Sequence, residues 1–171
     1  MPETLEEEGP VESSITPWKL VEKLAKIIGD ENFPPGDRAT LRRMTPGMDP
    51  PLKFYRVFYR IIGVDEEYRL GKWMAICAGM AIMSPHPHNR KIKTGKALAK
   101  AGYSELRLER LLAAKGKTKE RLLLNAARFL AAKRIAVNWV TFALLLLVRS
   151  DEKYEKAKRG IARDYYLNKN D

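Results

Sequence analysis

Apolar side chains recur every three to four residues in one segment after another of this chain. Most of those segments end at glycine or proline, and no run alternates in the manner of a half-buried strand. A stripe of that period makes each segment a helix with one face that must be covered by its neighbours, which leaves helix-on-helix packing as the architecture. The chain has 171 residues, 45% of them apolar, enough for one compact domain or two small helical halves sharing an interface. The expected fold is all-α, a compact bundle of eight or nine helices.

Residues 1–15 are polar, aperiodic and acidic, and read as a flexible tail. Thr16 and Pro17 resemble an N-cap and first helical position, followed by Trp18, Val21, Leu24, Ala25 and Ile28 as a buried stripe. Asp37 is the expected cap of a second short helix. A third spans 52–62, with Phe54, Phe58, Ile61 and Ile62 on one face. The fourth, about 67–83, is so apolar in its second half that it should cross the core centre, and Gly79 inside it suggests a close helix contact. Residues 84–94 form a basic loop between possible halves 16–83 and 95–171 of a single domain, 16–171. Beyond it, helices are expected at about 95–101, 104–115, 118–134, 138–148 and 151–167, with Ser104 and Thr118 as caps.

The formal net charge is +11, and its placement says more than its size. Between residues 68 and 149 stand 17 Lys and Arg against three acids, Glu105, Glu109 and Glu120. So large a local excess opposes compaction, so an anionic partner is the natural explanation, with nucleic acid ahead of a membrane surface or an acidic protein. Solubility alone would be served by mixed signs. Basic residues instead recur on successive helices: Arg38, Arg42 and Arg43; Lys96 and Lys100; Arg107 and Arg110; Lys119, Arg121 and Arg128; Lys156, Arg159 and Arg163. Arg149 and Lys153 extend the pattern. Arginine at helical spacing holds phosphate oxygens and tracks a backbone without reading bases.

Catalytic readings fail on spacing. Thr94, Gly95 and Lys96 lack the glycine and hydroxyl residue of a phosphate loop, since Arg90 and Ala97 stand there. Carboxylates are too scattered for a two-metal nuclease. His86 and His88 have no Cys or acidic cluster to complete a zinc set and read as loop histidines near solvent or phosphate. The single cysteine, Cys77, lies in an apolar helix and reads as a small buried hydrophobe. No catalytic residue, metal, cofactor or small-molecule substrate is expected. With five Glu and no Lys or Arg in the first 12 residues, no export signal is visible, and the apolar run 135–148 is too short to span a bilayer. A cytoplasmic, non-membrane protein is the expectation. No zinc-finger spacing, basic zipper or aromatic signature on a strand points to base reading, and a helix-turn-helix regulator lacks base-reading side chains.

GDRATLRRM at 36–44 followed by FYRVF at 54–58 resembles the CasB family, the small subunit of the type I-E CRISPR surveillance complex Cascade. The likeness continues in order through TGKALAKAG at 94–102, SELRLERLL at 104–112, NWVTFALLLL at 138–147 and ARDYYLNKND at 162–171. The resemblance implies a helical subunit that packs as a pair along an RNA-guided complex and touches other Cascade subunits, crRNA and target DNA. It would steady the target strand and the displaced strand of the R-loop in antiviral defence without chemistry of its own. By motif it carries over Arg42, Arg43, Lys96, Lys100 and Arg128; Arg38, Arg107, Arg110, Arg121, Arg149, Lys153 and Arg163 follow from charge pattern. The acidic tail and the prolines of 46–51 depart from the family pattern. The alternative is an interaction scaffold whose basic faces dock acidic protein subunits.

Overall fold

The computed structural model describes residues 16–170; the expected tail over 1–15 lies outside the described residues. Among those described there are nine α-helices: α1 Pro17–Ile28, α2 Pro35–Arg42, α3 Leu52–Val57, α4 Leu70–Ile82, α5 Thr94–Ala101, α6 Glu105–Ala113, α7 Gly116–Ala132, α8 Trp139–Leu147 and α9 Asp151–Asn168. A π-helical turn, Phe58–Ile62, prolongs α3, and a 3-10 turn, Val64–Arg69, leads into α4. The fold is all-α, and the described residues contain no strand, only an isolated bridge between His88 and Val137.

The helix expected to cross the core centre does so. Every residue of α4 from Trp73 to Ala81 is buried, with α1, α2, α7 and α8 packed around it. Gly79 marks the tightest crossing. A Cβ there would lie 2.3 Å from Cη2 of Trp139, so the indole of α8 rests directly on the α4 backbone. A second crossing joins α5 to α9. A Cβ on Gly95 would fall 2.2 Å from the Ile161 carbonyl oxygen and 2.7 Å from the Tyr165 nitrogen, so the two backbones meet with no side chain between them.

A buried polar knot secures the entry to α4. Arg69, only 8% exposed, donates to the Leu147 carbonyl at 2.7 Å and to both carboxylate oxygens of Glu66, which also accepts the Trp73 indole N–H at 2.9 Å. Burial works to raise the Glu66 carboxyl, but the hydrogen bonds from Arg69 and Trp73 and the nearby guanidinium outweigh it and hold it below its ordinary value.

Four local expectations change. Trp18 is 50% exposed; the buried stripe of α1 is Leu20, Val21, Leu24, Ala25 and Ile28, because the first turn overhangs a groove instead of the core. Thr16 occupies the N-cap position, but its hydroxyl is buried and makes no hydrogen bond among the described residues. Asp37 does not cap α2. It is buried in the first turn and pairs with Lys53 at 3.5 Å and Arg56 at 3.3 Å, tying α2 to α3. Finally, α7 starts at Gly116 with Lys115 as its N-cap, which places Thr118 inside the helix. Ser104 caps α6 as expected by accepting from the Arg107 N–H at 3.3 Å.

The 84–94 loop is stitched to the segment before α8. His88 Nδ1 accepts the Trp139 N–H at 3.0 Å, Asn89 donates to the Val137 carbonyl at 2.9 Å, and Asn138 donates to Ile92 at 2.8 Å. His88 is therefore a structural acceptor and not a free loop imidazole. Burial pushes its pKa down, and the Arg90 charge adds to that. His86 is exposed.

Candidate nucleic-acid interface

The fold sorts the basic residues into four settings. The largest is a groove of about 670 Å³ walled by α9 on one side and by α8 and the start of α5 on the other. Lys153 and Arg163 line it together with Lys156, Arg90 and Lys93, and the exposed Trp18 stands at its edge. Successive turns of α9 present its cations on one side because 153, 156 and 163 share a face at helical spacing. Among the described residues lining the groove there is one carboxylate, Asp164, which accepts from Arg163 at 3.2 Å and lies 3.9 Å from Lys93. Arg90 reaches Glu22 of α1 at 3.7 Å, an exposed pair of little strength.

A second groove, about 470 Å³, lies between α6 and α7 and is lined by Arg107, Arg110 and Arg128 with Tyr103 and Phe129. The Arg107 guanidinium sits 5.5 Å from the Phe129 ring centroid, and Arg128 donates to Asn125 at 3.1 Å. Arg149 occupies a third setting, a cleft at the α8–α9 junction, with its guanidinium 4.7 Å above the Tyr68 ring. Lys100, Arg43 and Arg121 are exposed and Lys96 half-buried, and among the described residues none of the four takes part in an ion pair or donates a side-chain hydrogen bond.

Two arginines bond to backbone carbonyls of the fold, Arg38 half-buried and Arg42 exposed. Arg38 donates to the Ile28 carbonyl at 3.0 Å and to Asp30 at 2.6 Å, closing the C-terminal end of α1, and its guanidinium packs over Phe33. Arg42 approaches the Ala81 carbonyl near the end of α4 at 3.4 Å. Lys119, expected on the exposed stripe of α7, is only 9% exposed, with Nζ 3.8 Å from the Tyr154 ring centroid. Spacing along the sequence does not point to Trp18, Arg90 and Lys93 as neighbours of the α9 cations. Their signal was present as a tryptophan beside a proline cap and a basic loop, but only folding brings 18, 90 and 163 to one groove.

The described residues contain no group of three or more His, Cys, Asp or Glu able to hold a metal ion. Cys77 is fully buried, and burial pushes its thiol up to about 12, so the thiolate nucleophile does not form near neutrality. None of the described helices is long and apolar enough to cross a membrane.

A family model described as CRISPR-associated protein Cse2 matches residues 37–166, which takes in the greater part of the helical bundle and the motif blocks between Asp37 and Tyr166. The chain belongs to the Cse2 family. The resemblance to CasB seen in the ordered motif blocks is thereby shown, since CasB and Cse2 are one family. Membership makes this Cse2 chain a subunit of CRISPR Cascade. No curated protein and no solved structure matches it. Both basic grooves lie substantially inside the Cse2 match, whereas Trp18 lies upstream of it.

Proposed function

We propose that this Cse2 subunit holds single strands of the R-loop through sequence-independent phosphate contacts and performs no catalysis. The observation that supports this best is the α9 groove. Five cations and two carboxylates, Asp164 in the groove and Glu22 behind Arg90, leave a net positive channel, and Trp18 offers an indole face at its edge. Phosphates track the cations while a base stacks on the ring, a combination that binds strands without reading them. The α6–α7 groove repeats the pairing of arginine with aromatic side chains and supplies a second contact for the same or another strand. Target DNA, crRNA, neighbouring Cascade subunits and a second copy of the chain are the partners in this reading, and the cytoplasm its compartment.

Binding of the purified chain to a labelled single strand tests it across a salt series. Six neutralised phosphates give a log–log slope of about −4, at about −0.7 per contact. Substituting Lys153, Lys156 and Arg163 together by alanine should flatten that slope to about −2. A salt-insensitive affinity, or an unchanged slope in the triple variant, refutes the reading.

One observation favours protein contact elsewhere on the surface. Leu106 of α6 and Leu167 of α9 are 55% and 76% exposed and each follows, in the chain, a partner of the hydrogen bond from Tyr166 to Glu105 that joins the two helices. That patch suits a neighbouring subunit, and retention of Cascade partners after nuclease treatment, lost on Leu106→Asp with Leu167→Asp, is the measurement.

A further inference from the structure

The cleft that holds Arg149 is distinct from the α9 groove, sharing only Val148 with it, and its charges do not balance. Its volume is about 360 Å³. Lys72, Lys115, Lys119, Arg149 and Lys158 face it, against the carboxylates of Glu120, Asp151 and Glu155. The imbalance is sharpest at Lys119. Its side chain is nine-tenths buried, yet among the described residues no carboxylate oxygen lies within 4.0 Å of its ammonium group. One donor reaches the Leu145 carbonyl at 3.4 Å, and the Tyr154 ring lies 3.8 Å away. An ammonium group has three donors, and burying one without a counterion is costly.

The sequence worsens that cost where it would be expected to relieve it. The 17-residue α7 opens onto this cleft with no acid in its first turn and no side-chain cap. Lys115, Lys117 and Lys119 stand there instead, at the end of the helix where the dipole and the unpaired N–H groups favour negative charge. Burial, followed by the neighbouring charges of Lys72, Lys115 and Lys158, pushes Lys119 down to about 8. A buried ammonium, a lysine cluster and an uncapped helix start converge on one cleft, and each is stabilised by the same addition, an anion.

We propose that this cleft binds a phosphate dianion, either inorganic phosphate or the terminal phosphate monoester of a nucleic-acid strand. The excess of two positive charges matches a monoester, which carries about −1.5 to −2 at neutral pH, better than the single charge of a backbone phosphodiester. A cleft of this size admits one phosphate with its hydrogen-bond partners. The inference stands apart from the strand-holding reading, because different side chains line the two sites.

The test uses the full chain with sodium phosphate added at constant ionic strength against chloride. A melting temperature that climbs with the logarithm of phosphate concentration is expected, together with a saturable upward shift of the Lys119 titration followed by NMR of its Cε. Lys119→Met and, independently, Lys72→Gln should weaken the response at least tenfold. A 5′-phosphorylated oligonucleotide is compared with its 5′-hydroxyl counterpart. Preference for the phosphorylated strand that disappears in both variants identifies a strand end as the source, and saturation by inorganic phosphate without such preference identifies the free ion; either supports the site. No saturable response to either probe, or a response that both variants retain, overturns it.

Discussion

Replacing Gly95 by alanine tests the α5–α9 crossing on which the larger groove depends. The new methyl carbon would stand 2.2 Å from the Ile161 carbonyl oxygen, 2.7 Å from the Tyr165 nitrogen and 2.9 Å from the Asp164 Cβ. Unstrained heavy-atom contacts sit at about 3.5 Å, so α9 must retreat by roughly 1 Å, and because two of the three atoms are backbone no rotamer change relieves the clash. Overpacking of this kind costs about 1–3 kcal/mol, and the upper end applies where a helix has to move as a body. The helix propensity of alanine returns at most about 1 kcal/mol, leaving a net loss of about 2 kcal/mol. For a domain of this size that lowers the melting temperature by about 4–8 °C. Gly160, on α9 itself, is the control: nothing lies within 4 Å of its added Cβ, so Gly160→Ala should raise the melting point by about 2–4 °C through propensity alone. Thermal unfolding followed by circular dichroism reads both. Should Gly95→Ala melt with the wild type while Gly160→Ala behaves as the control, the close crossing does not exist in solution.

Three further perturbations address the buried charges. Glu66→Gln strands the Arg69 guanidinium beside a neutral amide and should cost about 3 kcal/mol in urea unfolding, with much of the loss recovered when Arg69→Met is added. In phosphate-free buffer, Lys119→Met should stabilise the protein at pH 7. Dropping from 10.5 to about 8 represents about 3 kcal/mol at about 1.4 kcal/mol per pH unit, of which the Tyr154 ring returns about 2, for a net gain of about 1 kcal/mol. The unfolded lysine keeps its proton to about 10.5 while the folded one releases it near 8, so wild-type stability climbs across that interval and the variant's advantage vanishes above it. His88 behaves alike at lower pH: the unfolded imidazole takes up a proton first, so stability falls as pH drops below 6.5 toward the lowered folded value, and His88→Gln should remove that dependence in a pH series of melts.

The helical period carried most of the architecture. Core face and helix order for α4, α6, α8 and α9 are legible from spacing, because an amphipathic stripe has only one way to be buried, and Gly79 announced its crossing by sitting in an otherwise apolar helix. What spacing cannot convey is which helix lies over which. Trp18 continues the α1 stripe in sequence, yet it stands half exposed at the edge of the α9 groove. Asp37 reads locally as a cap until α3 brings Lys53 and Arg56 within reach. The same gap separates the basic stripes from a site. Arg38 and Arg163 are alike as charges, but one closes a helix end and the other lines a groove, and only tertiary placement distinguishes them.

Two of the helix packings join parts of the chain that are far apart along it. α1 packs on α8, about 120 residues onward, and α5 on α9, about 60 residues onward. Closing such loops costs chain entropy before any contact rewards it, which places this bundle among slower folders than its helix content suggests. During synthesis the apolar stripe of α1 lacks its full cover until α8 has emerged, and the α5 backbone at Gly95 lies bare until α9 follows. For that interval the nascent chain presents unpaired helix faces, the kind of exposure that makes partly made chains prone to aggregate.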